Sequence, residues 1–172
     1  MAKYITFLQL KAARQALNIG VRDIAKVLKV SKATISKTEL GKTRDFLYKH
    51  SAALSDFFES NSITFPNEYS IRYKGINNLN SIPLLSAHSL TRFQLVVARY
   101  ILSITQEQLA GLINVDKGVI ARAEQLLNFE YIRPNDQTVM DNLNHLFNSC
   151  QIEFPDSLSV FYKKYVDNKL NQ

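Results

Sequence analysis

Slid along itself by 85 positions, the chain matches. "QLKAARQALNIGVRDIAKVLKVSKATISKTE", from Gln9, lies over "QLVVARYILSITQEQLAGLINVDKGVIARAE", from Gln94, without a gap. Shared positions include Leu10/Leu95, Ala13/Ala98, Arg14/Arg99, Leu17/Leu102, Ile19/Ile104, Ala25/Ala110, Val30/Val115, Ile35/Ile120 and Glu39/Glu124. Most are apolar and recur at helical spacing, so both copies must bury the same faces in the same way. After four extra residues in the second copy the match resumes at an offset of 89. There "ITFPNEYSIRYK" from Ile63 meets "IEFPDSLSVFYKK" from Ile152. Each of these segments reads as a short strand ended by proline, a polar turn and a second strand.

Each copy therefore reads as four helices and a hairpin. The spacing predicts helices over 6 to 18, 21 to 28, 32 to 40 and 45 to 61, and again over 90 to 103, 106 to 113, 117 to 125 and 136 to 150. Ser31 and Asp116 stand where an N-cap belongs, and Gly41 where the third helix of the first copy must stop. "GINNLNSIPLLSAHS", 75 to 89, has the composition of a linker between a first domain, 1 to 74, and a second, 90 to 172. The edges of the strands in "SITFP" and "SIRYK" are free to pair with their counterparts, within the chain or across a dimer.

Composition narrows the function. With 172 residues and 46% hydrophobic content the chain can build packed cores. No run of about 18 apolar residues is present and the start is broken by Lys3, Gln9 and Lys11, so neither a membrane span nor a signal peptide is expected. The expected location is the cytoplasm. Cys150 is the only cysteine, which excludes an internal disulfide and a thiolate zinc site; we expect a small buried apolar residue near a helix end. His50, His88 and His145 are far apart, and neither a nucleophile motif nor a glycine-rich phosphate loop is found. No enzyme, metal or cofactor is expected. Charge is uneven: residues 1 to 80 hold 13 Lys and Arg against 6 Asp and Glu, a balance of +7, whereas residues 81 to 172 hold 8 against 9, a balance of −1. The positive field that attracts polyanions belongs to the first half.

A small residue in the second helix (Ala25, Ala110), a buried turn residue (Val30, Val115) and an inward anchor in the third helix (Ile35, Ile120) let two helices cross closely and leave the third proud of the surface. In both copies, "IGVRDIAKVLKVSKATISKTELG" and "ITQEQLAGLINVDKGVIARAEQL", the chain resembles the Cro/repressor-type (xenobiotic-response-element) helix-turn-helix family. Its pattern runs roughly L-T-Q-x-x-L-A-x-x-L-G-V-S-x-x-x-I-S-x-x-E-x-G. The hairpin also resembles that of short bacterial members. The resemblance implies a mainly α chain of two tandem helix-turn-helix bundles, four to five helices each, each followed by a short β-hairpin. It implies that the third helix enters the DNA major groove. The base-facing positions would be Lys32, Ala33, Thr34 and Lys37, with Ser31 near a phosphate and Arg22, Lys26, Lys29, Lys42 and Arg44 along the backbone. Arg14 with Glu39, and Arg99 with Glu124, are implied to form salt bridges across the core, a structural role.

Departures separate the copies. The turn glycine of the family is Lys29 and Asn114 here, and the left-handed conformation costs lysine about 1 kcal/mol. Gly20, Val21 and Arg22 replace Thr, Gln and Glu in the first copy. In the second, Gly118 weakens the third helix by about 1 kcal/mol relative to alanine, and Asp116 faces phosphates with the wrong sign. If that copy binds DNA, Gln106, Lys117 and Arg122 are its contacts. Its longer loop, "LLNFEYIRPND", carries Phe129, Tyr131 and Ile132, which either form a partner surface or pack onto the bundle. Two architectures stay open: a pseudo-dimer within one chain reading unlike half-sites, or a homodimer in which the second copy binds a partner. The expected function is that of a sequence-specific regulator binding double-stranded DNA, a bacterial repressor associated with the nucleoid when bound. The alternative is an antitoxin-like or anti-repressor module that binds protein.

Overall fold

The structure, a computed structural model, describes residues 4 to 74, 89 to 133 and 136 to 163. It is mainly helical with a small antiparallel sheet. The first repeat supplies α1 (Phe7–Ala16), α2 (Val21–Val27), α3 (Lys32–Glu39), α4 (Arg44–Ser60), β1 (Ile63–Thr64) and β2 (Ser70–Tyr73). The second supplies α5 (Arg92–Ile101), α6 (Gln106–Leu112), α7 (Lys117–Ala123), α8 (Gln137–Ser149), β3 (Ile152–Glu153) and β4 (Ser159–Tyr162). Each repeat thus has four helices among the described residues, and apart from Ser89 the expected linker lies outside them.

The ends of the helices repeat as faithfully as their interiors. Thr6 and Thr91 cap α1 and α5 through capping boxes closed by Gln9 and Gln94. Three pairs of equivalent residues adopt left-handed backbone: Asn18 and Ser103 (φ 56° and 55°), Lys29 and Asn114 (54° and 57°), Ser62 and Gln151 (65° and 61°). The first pair explains why α1 and α5 are shorter than the apolar pattern predicts: a left-handed residue cannot continue the helix, and it turns the chain toward α2 and α6. Gly41, at φ 73° and close against the Phe7 ring, ends α3 as expected.

The hairpins join the repeats into one body. Strand order is β1-β2-β4-β3, and the central pair is in the register Ser70↔Phe161, Ile71↔Val160, Arg72↔Ser159. Ile71 and Val160 are the same position in the two copies, so the register is that of a pseudo-twofold axis running between them. Of the alternatives left open by the strand pattern, the pairing is within the chain and uses "SIRY", while β1 stays at the sheet's outer edge. On the same axis α1 packs against its equivalent α5. All of α5 is buried except Tyr100, as a helix in the middle of a body must be. Gln9 and Gln94, both buried, tie these central helices to the hairpins: Gln9 Nε2 donates to Asn67 O (2.7 Å) and Ser70 O (2.9 Å), and Gln94 Nε2 to Asp156 O (2.7 Å). The apolar residues of both repeats, Ile24, Ile35, Phe58 and Ile71 with Leu109, Ile120, Phe147 and Val160 among them, form one core.

Candidate nucleic-acid interface

In the first repeat α2 stops after Val27, and Val30 N–H donates back to Ala25 O at 2.9 Å, closing a turn through the left-handed Lys29. Ser31 then caps α3, its Oγ accepting from Thr34 N–H at 3.1 Å. The second repeat does the same: Val115 N–H reaches Ala110 O at 2.9 Å through Asn114, and Asp116 Oδ1 accepts from Gly118 N–H at 2.6 Å. Ala25, Ala110, Ile35 and Ile120 are buried as expected. The two turn valines are half-buried rather than buried, because the turn lies at the edge of the bundle between exposed Lys29 and Ser31, or Asn114 and Asp116.

With Ile35 inside, the opposite side of α3 is open. Lys32, Ala33 and Lys37 are exposed, and Arg22, Lys26, Lys29, Ser31 and Lys42 are exposed before and after the helix. Among the described residues none of these six cations from Arg22 to Lys42 that flank or lie on α3 (Arg22, Lys26, Lys29, Lys32, Lys37, Lys42) is held in an ion pair. Thr34 differs from expectation: it is half-buried, and its hydroxyl lies 2.9 Å from that of Ser31. Arg44 begins α4, and its side chain lies outside the described residues.

The second repeat presents less charge. Lys117 and Arg122 are exposed on α7. Gln106 is turned inward, its Nε2 donating to Glu124 Oε2 at 2.8 Å. Gly118 has a reason that helix propensity misses: a Cβ there would lie 2.8 Å from Asp116 Oδ1, so the glycine makes room for the tight cap. The long loop after α7 folds back on α5, with Ile132 N–H donating to Leu90 O and Arg92 N–H to Glu130 O, both at 2.9 Å. This buries Ile132 and half-buries Phe129 and Tyr131, so packing onto the bundle is the outcome for the loop's aromatics.

Behind each face sits the implied salt bridge. Arg14 Nε and Nη2 donate to Glu39 Oε1 and Oε2 at 2.6 and 2.9 Å, and Arg14 Nη1 donates to Ile19 O at 2.7 Å. Arg99 and Glu124 repeat this at 2.5 and 2.8 Å, with Arg99 Nη1 on Ile104 O at 2.9 Å. Burial of Arg99 works against its charge, but the hydrogen bonds and negative charge of Glu124 hold its pKa above the usual value.

A buried cation that sequence reasoning missed is Arg92, which occupies the position of Phe7 in the first repeat. It is 3% exposed and spans the repeats: Nη1 donates to Ala16 O at 2.7 Å and Nη2 to Asn18 Oδ1 at 3.1 Å, both at the end of α1. On its own side Nε donates to Glu124 O at 2.8 Å and Nη1 to Asn128 Oδ1. Burial lowers its pKa, with the charge of Glu124 opposing. The detectable signal was a charge in a register position that is apolar in the other copy.

Among the described residues no cluster of His, Cys, Asp and Glu is arranged to hold a metal ion, and no helix is long and apolar enough to cross a membrane. Comparison of the chain with protein-family models, curated proteins and solved structures finds no match.

Proposed function

We propose that the chain is a sequence-specific regulator of transcription that binds double-stranded DNA, a repressor acting by occupying its site in the cytoplasm. Each repeat is read as a helix-turn-helix unit, with α3 and α7 as the helices that enter successive major grooves. The observation that carries this reading is the capped α3, anchored by Ile35 and presenting exposed Lys32, Ala33 and Lys37, with exposed Arg22, Lys26, Lys29 and Lys42 around it. Lysine donates to guanine O6 and N7, and the surrounding cations suit the phosphate backbone. The register Ile71↔Val160 supports the further reading that one chain is a pseudo-dimer presenting two unlike faces to two unlike half-sites.

The test is selection of bound duplexes from a random library by the purified protein. Two unlike half-sites about one helical turn apart are the expected result. A palindrome would assign the symmetry to a homodimer reading through α3, and no enrichment would reject DNA binding.

A second reading, an antitoxin-like or anti-repressor module whose second repeat binds a protein, draws on Leu112 and Leu127, which are 61% and 57% exposed, although Leu40 and Tyr48 of the first repeat are as exposed, at 64% and 65%. It predicts weak salt dependence of DNA binding and a partner that co-purifies.

A further inference from the structure

A cleft of about 810 Å³ opens between α1 of the first repeat and α5, α6 and α7 of the second. The second repeat contributes Lys117, on α7, and Gln106, whose Nε2 donates to Glu124 Oε2. The first contributes Lys11 and Gln15, one turn apart on α1, and Asn18 just beyond its end. Four cations of the lining, Lys11, Arg92, Arg99 and Lys117, stand against two carboxylates, Glu107 and Glu124. Glu124 is already matched by Arg99, and Arg92 has only carbonyl and amide partners among the described residues. The cleft therefore keeps a positive balance, partly from a charge buried in its wall, and a concave wall of this kind focuses its field on an anion.

The two sides of the axis are not alike. The positions equivalent to Lys11, Gln15 and Asn18 are Val96 and Tyr100 of α5 and Ser103 just after it, none of them charged. Helix α6 carries no cation, whereas α2 carries Arg22 and Lys26. The repeat short of positive charge is thus the one whose α7 is bordered by a lysine of the other repeat. Lys11 is half-exposed and has no ion-pair partner among the described residues.

We propose that Lys11 and Gln15 bind a DNA backbone phosphate of the half-site read by α7, so that the first repeat completes the second repeat's DNA contact across the seam. This rests on the DNA-binding reading. Lys117 of α7 lines the same cleft as Lys11, so an anion held there would lie beside the helix that the proposed function puts in the groove, which favours the backbone over a free anion.

The experiment measures affinity for the selected duplex over a salt series, with phosphate ethylation interference, for wild type, Lys11→Ala and, as control, Lys49→Ala, an exposed lysine on α4 outside the cleft. Lys11→Ala should bind about fivefold more weakly at roughly 0.15 M salt and lower the salt slope by about 0.9, the effect of one phosphate contact. It should also lose one interference site, in the α7 half, and Lys49→Ala should behave as wild type. If wild type binds while Lys11→Ala keeps the same affinity, slope and interference pattern, the proposal is wrong. It is also wrong if inorganic phosphate at constant ionic strength raises the melting temperature of wild type but not of Lys11→Ala while both bind DNA alike, since the cleft then holds a free anion. If wild type binds no duplex, the DNA-binding reading itself has failed.

Discussion

Ile71 and Val160, one residue in two copies, face each other across the central strand pair, and both are fully buried. Among the described residues the only ladder between the repeats is centred on them, and α1 and α5 pack on the same axis. Ile71→Ala should therefore destabilise the whole chain by about 2 to 5 kcal/mol through the cavity it leaves. Because the repeats share one core, urea unfolding should stay a single transition with an unchanged slope. Two separate transitions would show that the repeats fold independently.

Removing a carboxylate from a buried bidentate pair strands its arginine. Glu39→Leu and Glu124→Leu should each cost about 3 to 5 kcal/mol, measured by denaturant unfolding. Glu124→Leu should cost more, because Gln106 and Arg99 both depend on that carboxylate whereas among the described residues Glu39 bonds to Arg14 alone. Equal losses would mean that the Gln106 contact adds nothing.

Arg92 donates to four groups on three segments: the end of α1, Glu124 O and Asn128. Arg92→Met keeps the apolar stem but leaves buried acceptors unpaired, with an expected loss of about 2 kcal/mol. Arg92→Lys should recover little of this, since one ammonium cannot reach all four acceptors. Full rescue by lysine would show that charge, not geometry, is what the site needs.

Lys29 holds a left-handed φ of 54° where its equivalent is Asn114 at 57°. Lys29→Asn should raise stability by about 0.5 to 1 kcal/mol, read as a higher melting temperature. On the proposed function it should also weaken DNA binding by removing a phosphate contact. A variant that gains stability without losing affinity would take Lys29 out of the interface.

On the proposed function, Lys32→Ala and Lys37→Ala should relax sequence preference, each changing discrimination by about 1 to 3 kcal/mol at one base pair. Lys42→Ala should instead weaken binding to all duplexes alike and flatten the salt slope by about 1. If the three variants bind as wild type does, α3 is not the reading helix.

The repeated elements were legible because their causes are local. Apolar spacing, Ser31 and Asp116 as caps and Gly41 as a stop bring every helix to within two residues of its observed end. The two Arg and Glu pairs followed from the family resemblance, and the structure has both. The seam was not legible. The alternation in "SIRY" and "SVFY" suits pairing within or between chains equally, and only the packing of α1 on α5 settles the partner. Local rules missed Arg92, whose acceptors on α1 are 76 and 74 positions away, and Gln106, drawn inward by a carboxylate 18 positions away.

The joined sheet has a consequence for dosage. A repressor assembled from two separate chains loses occupancy steeply on dilution, because its dimer falls with the square of chain concentration. On the proposed function, a chain that carries both halves, locked through Ile71 and Val160, would occupy its site in proportion to the first power of its abundance. Its response to a change in its own supply would then be graded rather than a threshold, and its two faces need not be alike: Ala33 and Thr34 follow Lys32, whereas Gly118 and Val119 follow Lys117.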